Sequence, residues 1–114
     1  MSDCIFCKIA AGELPSGKVY EDDELLAFHD IHPFARVHVL IIPKLHIATL
    51  AECMPEHESL LGKMLLLAPR LAKELGLSAG FKTLINTGRG GGQEVFHIHV
   101  HVFGGGEPAP HAQS

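Results

Sequence analysis

Three histidines alternate with apolar residues in His97-Ile98-His99-Val100-His101-Val102-Phe103. Strand side chains alternate between faces, so this spacing predicts a row of three imidazoles on one face. Ile98, Val100 and Val102 share the opposite face, which suits a packed core. An exposed strand face would favour Thr, Lys or Glu, so the row reads as chemistry on an anion, a metal, or both. Neighbouring Cα atoms in such a row lie roughly 6.8 Å apart, and the outer pair roughly 13 Å. One metal at about 2.1 Å from each nitrogen would strain to reach all three. A division of labour is expected instead: one ring attacks, a neighbour binds charge, and another is structural. A histidine can attack and form a covalent intermediate without a metal. Phosphorus is a suitable target if donors meet its equatorial oxygens. Backbone N–H groups of Gly91, Gly92, Gln93 and Glu94 precede the histidines and could supply them. That run lacks the Gly-Lys-Ser/Thr ending of a P-loop, and a flexible hairpin loop is the alternative reading.

Cys4-x-x-Cys7 is the second constellation. Two thiols at this spacing near a helix start are half of a zinc site, or two reduced thiols packed under the helix. Three cysteines cannot all pair, so they read as cytosolic thiols or metal ligands rather than a disulfide framework.

The elements that position these groups follow from periodicity and breakers. Residues 4–11 read as a short helix with Ile5, Phe6 and Ile9 on its apolar side, stopped by Gly12. Residues 18–21, 24–30 and 37–43 read as strands of an antiparallel meander. Pro33 ends the second, and the chain to Arg36 is a loop. Residues 55–75 are the one long helix. Pro55 fits its first position, Glu56 and Glu58 its first turn, and Gly76 its stop. Leu60, Met64, Leu67, Leu71 and Leu75 mark the buried stripe. Pro69 removes a helix hydrogen bond, so a kink or break is expected there. Residues 81–87 and 97–103 read as the fourth and fifth strands. The segment from about residue 106 to 114 reads as a mobile tail.

The class is α+β, in a single domain over residues 1–114. Hydrophobic content of 46% and charged content of 19% indicate a globular chain. A net charge of −4 argues against sequence-independent nucleic-acid binding, but leaves a locally held nucleotide open. Apolar runs such as Val39-Leu40-Ile41-Ile42 are too short to span a membrane. Met1-Ser2-Asp3 does not open a signal peptide, so a cytoplasmic location is expected.

The histidine row also matches the signature His-φ-His-φ-His-φ-φ. Over nearly its whole length the chain resembles the histidine triad (HIT) family, in its Hint-like branch. Cys4-Ile5-Phe6-Cys7-Lys8-Ile9, Phe28-His29-Asp30-Ile31, His38-Val39-Leu40-Ile41-Ile42-Pro43-Lys44 and Gly91-Gly92-Gln93-Glu94-Val95-Phe96 carry the resemblance. It implies a five-stranded antiparallel sheet with one long and one short helix. It implies a homodimer that pairs the long helix and fourth strand with their mates. The implied activity is hydrolysis or nucleotidyl transfer on purine nucleoside 5′-phosphoramidates and related nucleotide esters of AMP or GMP. No cofactor is implied for catalysis.

In that family the middle histidine attacks the α-phosphorus, which places the role on His99. His101 and His38 are implied as phosphate-binding partners. Alternation agrees with the rest: Leu26, Phe28 and Asp30 share a face, as do His38 and Leu40. The resemblance puts Phe28 and Leu40 at the base and Asp30 at the ribose hydroxyls. It puts Asn86 near the ribose and phosphate, and Ile5, Phe6, Leu14 and Ile31 around the base. Taken singly, each apolar residue reads as core and Asp30 as a turn acid. Glu94 stands where eukaryotic relatives have Ser near the leaving group; Gln93 and Glu94 are both retained as site members. For the metal, the resemblance adds His46 and His97 to Cys4 and Cys7, completing a structural zinc set. Cys53 has no obvious partner. His57 and His111 read as surface and tail residues, while His29 and His32 flank the pocket. Two other functions fit: a non-catalytic purine-nucleotide sensor or scaffold, and a metal-dependent hydrolase using the histidine row.

Overall fold

Strands β1 (Lys18–Glu21), β2 (Leu25–His29), β3 (Val37–Pro43), β4 (Lys82–Leu84) and β5 (Val100–Gly104) form one antiparallel sheet in the computed structural model of the chain. Their order across it is β1-β2-β3-β5-β4. Among the described residues two α-helices accompany it, α1 (Ile5–Ala10) and α2 (Glu58–Glu74). The structure describes residues 3–105, so the tail expected to be mobile, with His111, lies outside the described residues.

The period of two along the strands gives the sheet two different faces. Leu25, Ala27, Val39, Ile41, Val100 and Val102 pack with Met64, Leu67 and Leu71 of α2. Leu26, Phe28, Leu40 and Ile42 pack with Phe6 of α1 on the other side. Each such side chain contributes about 1.5–3 kcal/mol on burial, so the larger α2 cluster supplies most of the hydrophobic stabilisation. The smaller cluster forms the floor of a cleft. Central β3 pairs with β2 on one side and β5 on the other, and all its residues but Val37 are buried.

Local details depart from expectation in three places. First, α2 runs through Pro69 without a break, preceded by a 3-10 turn at Pro55–His57 in which His57 Nδ1 accepts the Met54 N–H. Pro69 and Leu65, whose carbonyl loses its partner, both lie on the exposed side of α2. Solvent there tolerates the missing bond. Second, β5 begins only at Val100, because the Ile98 N–H is drawn to the Ile47 carbonyl at 2.7 Å. Third, β4 is correspondingly short. Leu84 pairs with His101, and the same register would set Asn86 against His99, which lies before the start of β5. Among the described residues, no helix is long and apolar enough to cross a membrane.

Candidate active site

Phe28, Leu40 and His101 are cross-strand neighbours on β2, β3 and β5, so one row of the sheet carries both apolar surface and an imidazole. Above this row lies a cleft of about 400 Å³. Phe6 closes one end, with its ring edge-on to Phe28 at 5.5 Å and to His99 at 5.2 Å between centroids. His99 then meets His101 at 5.0 Å. The cleft therefore passes from an apolar, nucleobase-sized end to a histidine-lined end.

Hydrogen bonds fix the proton positions on these rings. His99 Nδ1 lies 2.8 Å from the His97 carbonyl, which can only accept, so Nδ1 carries the proton. The neutral His99 ring is left with its lone pair on Nε2. His38 Nδ1 accepts the Phe34 backbone N–H at 2.9 Å, which places the His38 proton on Nε2. That Nε2–H donates to His101 Nδ1 at 2.9 Å, with Asp30 Oδ2 a secondary acceptor at 3.5 Å. His101 must then carry its own proton on Nε2. This atom is buried and has no partner among the described residues. An unpartnered buried donor is costly unless something is to be bound there.

Burial supports the neutral forms. His101 is pushed down to about 4, chiefly by loss of solvent, then by the His99 and His38 rings, with Asp30 opposing. Burial also lowers His38, again against Asp30. Asp30, His38 and His101 bring three candidate metal-binding atoms within 4.8 Å. The relay argues against a metal there, because His38 Nε2 bears a proton and its Nδ1 lone pair is already engaged.

Of the residues expected around a nucleotide, Phe6, Phe28, Leu40 and Ile31 line the cleft. Asp30, Asn86 and Glu94 line it too, with Ile5, His99 and His101, while His29 and His32 flank it as part of the same lining. Asp30 is also a turn acid: its Oδ1 accepts the His32 N–H at 2.8 Å. His38 lies behind the wall and acts on the cleft through His101. Leu14 is outside the lining and 38% exposed. Gln93 is buried and turned to the backbone, accepting from Gly88 N–H and donating to the Ala48 and Val95 carbonyls. It thereby pins the glycine loop, where Gly88 and Gly92 adopt left-handed φ of 75° and 84° that a β-carbon would disfavour. Phe34, in the loop that the sequence places before β3, also lines the cleft. An aromatic residue four positions before His38 was the available signal.

The second constellation also comes together. Cys4 Sγ lies 3.3 Å from His97 Nδ1, Cys7 Sγ 3.2 Å from His46 Nδ1, and the two Nδ1 atoms 3.2 Å apart. Tetrahedral zinc with arms of about 2.05 Å to nitrogen and 2.3 Å to sulfur has ligand separations of roughly 3.3–3.8 Å, so the donors fit. His97 Nε2–H donates to the Pro43 carbonyl at 2.7 Å, which leaves Nδ1 as a lone pair aimed at the cluster. Such an outer carbonyl is the usual means of orienting a metal-binding imidazole.

One imidazole lone pair beside one unsatisfied imidazole N–H, at the end of a nucleobase-sized slot, is equipment for histidine-based group transfer. The sequence model of the HIT domain family matches residues 11–107. Protein HitA of Neisseria gonorrhoeae is 61% identical over 104 residues, covering 91% of this chain and 97% of that protein. The purine nucleoside phosphoramidase of Escherichia coli is 46% identical over 104 residues, covering 90% of this chain and 87% of that one. Among solved structures, a HIT family hydrolase from Legionella pneumophila Philadelphia 1 matches with a TM-score of 0.90 at 47% identity, covering 95% of this chain and 97% of that one. The chain belongs to the histidine triad (HIT) family.

Proposed function

We propose that the protein hydrolyses purine nucleoside 5′-phosphoramidates, and related nucleotide esters, through a nucleotidyl-His99 intermediate. The observation that carries this reading is the pairing of the His99 Nε2 lone pair with the unpartnered His101 Nε2–H in one cleft. Base and ribose lie against Phe6, Phe28 and Leu40, with Asp30 and Asn86 at the sugar. His99 Nε2 attacks the α-phosphorus, forming an N–P bond as the P–N bond to the amine breaks. The amine leaves with a proton taken from solvent, and His101 donates to a phosphoryl oxygen whose charge grows in the transition state. Water then attacks the same phosphorus, releasing the nucleoside monophosphate and restoring His99. The cluster of Cys4, Cys7, His46 and His97, which could hold a metal ion, takes no part in these steps. The phosphoramidase among the relatives supports the reaction type.

The test is turnover of adenosine and guanosine 5′-phosphoramidates with a chelator present, with intact-mass analysis of acid-quenched samples. The expected result is turnover and a mass gain of one nucleotidyl group on His99. Tight nucleotide binding without turnover would instead leave a sensor, and chelator-sensitive chemistry a metal-dependent hydrolase.

The acting form is a homodimer in this proposal. Leu65 and Leu66 on α2 are 49% and 75% exposed, and Phe81 and Leu84 by the β4 edge are each 37% exposed. Apolar side chains on a helix and on an open sheet edge call for cover. Light scattering at micromolar concentration should give twice 12.3 kDa; a monomeric mass would refute this.

A further inference from the structure

Phe34 is 53% exposed, yet its ring packs on two of the site histidines and on Phe103. Its ring stacks on His101 with centroids 5.4 Å apart and planes 16° from parallel. It also lies against His38 at 4.4 Å, and Phe103 braces it edge-on at 5.3 Å. Its backbone N–H is the donor that fixes the His38 proton on Nε2. One residue thus holds both ends of the relay that ends at the unpartnered His101 Nε2–H.

We propose that Phe34 is a positioning residue for phosphoryl transfer: its amide sets the His38 tautomer, and its ring clamps His101 so that Nε2–H is kept as a donor. The inference rests on the nucleotidyl-transfer reading above. Its logic is the two-fold choice of a neutral imidazole. With the ring stacked on its face, His101 is held with Nδ1 on the His38 Nε2–H. Without the ring, His101 can turn out of that bond, Nδ1 is no longer held as an acceptor, and the proton can move there. His101 Nε2 then becomes a lone pair, which repels a phosphoryl oxygen instead of binding it. A side chain present only for packing would not change which nitrogen bears the proton.

The test compares wild type, Phe34→Ala and Phe34→Tyr, with ring-¹⁵N histidine and assignments from single His38 and His101 variants. In the wild type both rings should show the Nε2–H tautomer. Phe34→Ala should show a mixture at His101. Its kcat for an adenosine phosphoramidate should fall about tenfold, a fraction of the 10²–10³ typical for outright loss of an oxyanion donor. KM should change much less, because the base end is untouched. Phe34→Tyr should restore both readouts, and melting curves should show that each variant is folded. Unchanged tautomers and kcat in Phe34→Ala would overturn the proposal, as would failure of Phe34→Tyr to restore them. A wild type without turnover would refute the reaction itself, while the tautomer populations would still decide the role of Phe34.

Discussion

His99→Ala should abolish phosphoramidate turnover while leaving nucleotide binding nearly intact. The substitution removes the atom with the cleft-side lone pair, and no other ring can replace it. His101 has its Nε2 protonated through the relay, and the His97 lone pair faces the cysteines. Loss of a nucleophile typically costs several orders of magnitude in rate. Binding should survive because Phe28, Leu40 and Asp30 keep their places on β2, β3 and the turn that follows β2. Only one ring contact of Phe6 is lost, the edge-on packing at 5.2 Å. His101→Ala should be milder, about 10²–10³ in kcat, since it removes one transition-state donor. The two variants also differ in the adduct. His101→Ala should still accumulate nucleotidyl-His99, more slowly, whereas His99→Ala should show none. Near-normal turnover in His99→Ala, or an adduct mapped to another residue, would refute the assignment.

The parts of this site that were legible in the sequence are those set by a short period. Alternation alone placed Phe28 with Asp30 and His38 with Leu40, and both pairs lie where alternation puts them, on the site side of the sheet. The triad was legible as one face even though β5 begins only at Val100: Phe6 packs on the rings of both His97 and His99, and His99 meets His101. Four features were not legible. The Phe34 contacts depend on how a loop folds back over β3, which no periodicity encodes. Gln93 reads as a site residue by position, but its amide is consumed by the Gly88, Ala48 and Val95 backbone; the first and last are close in sequence, but only the fold brings Ala48 to it. The continuity of α2 at Pro69 depends on which side of the helix meets solvent, a tertiary property. The last step of the tautomer relay is also tertiary: the His101 proton position follows from His38, on another strand.

Zinc removal should lower the melting temperature by an amount easily seen. We propose that Cys4, Cys7, His46 and His97 hold one structural Zn²⁺, with four protein ligands and no open position for catalysis. The four residues come from three separate segments, so the ion would cross-link them. Cys4 caps α1, and its Sγ already accepts the Cys7 N–H at 3.3 Å. His97 links the cluster to β3 through the Pro43 carbonyl and to the nucleophile through its own carbonyl. Because unfolded chain holds the metal poorly, zinc at about a hundred times its dissociation constant would add about 2.7 kcal/mol of stability. For a domain of this size that is roughly 10–20 °C in Tm. The protein purified without chelator should contain about one zinc per chain, and Cys7→Ala should lose it. Nucleotide affinity should weaken on metal removal before His99 chemistry does, since α1 carries Phe6 and Ile5 of the cleft wall. Well under one zinc per chain, with melting unchanged by added zinc, would leave the four side chains as a hydrogen-bonded cluster and nothing more.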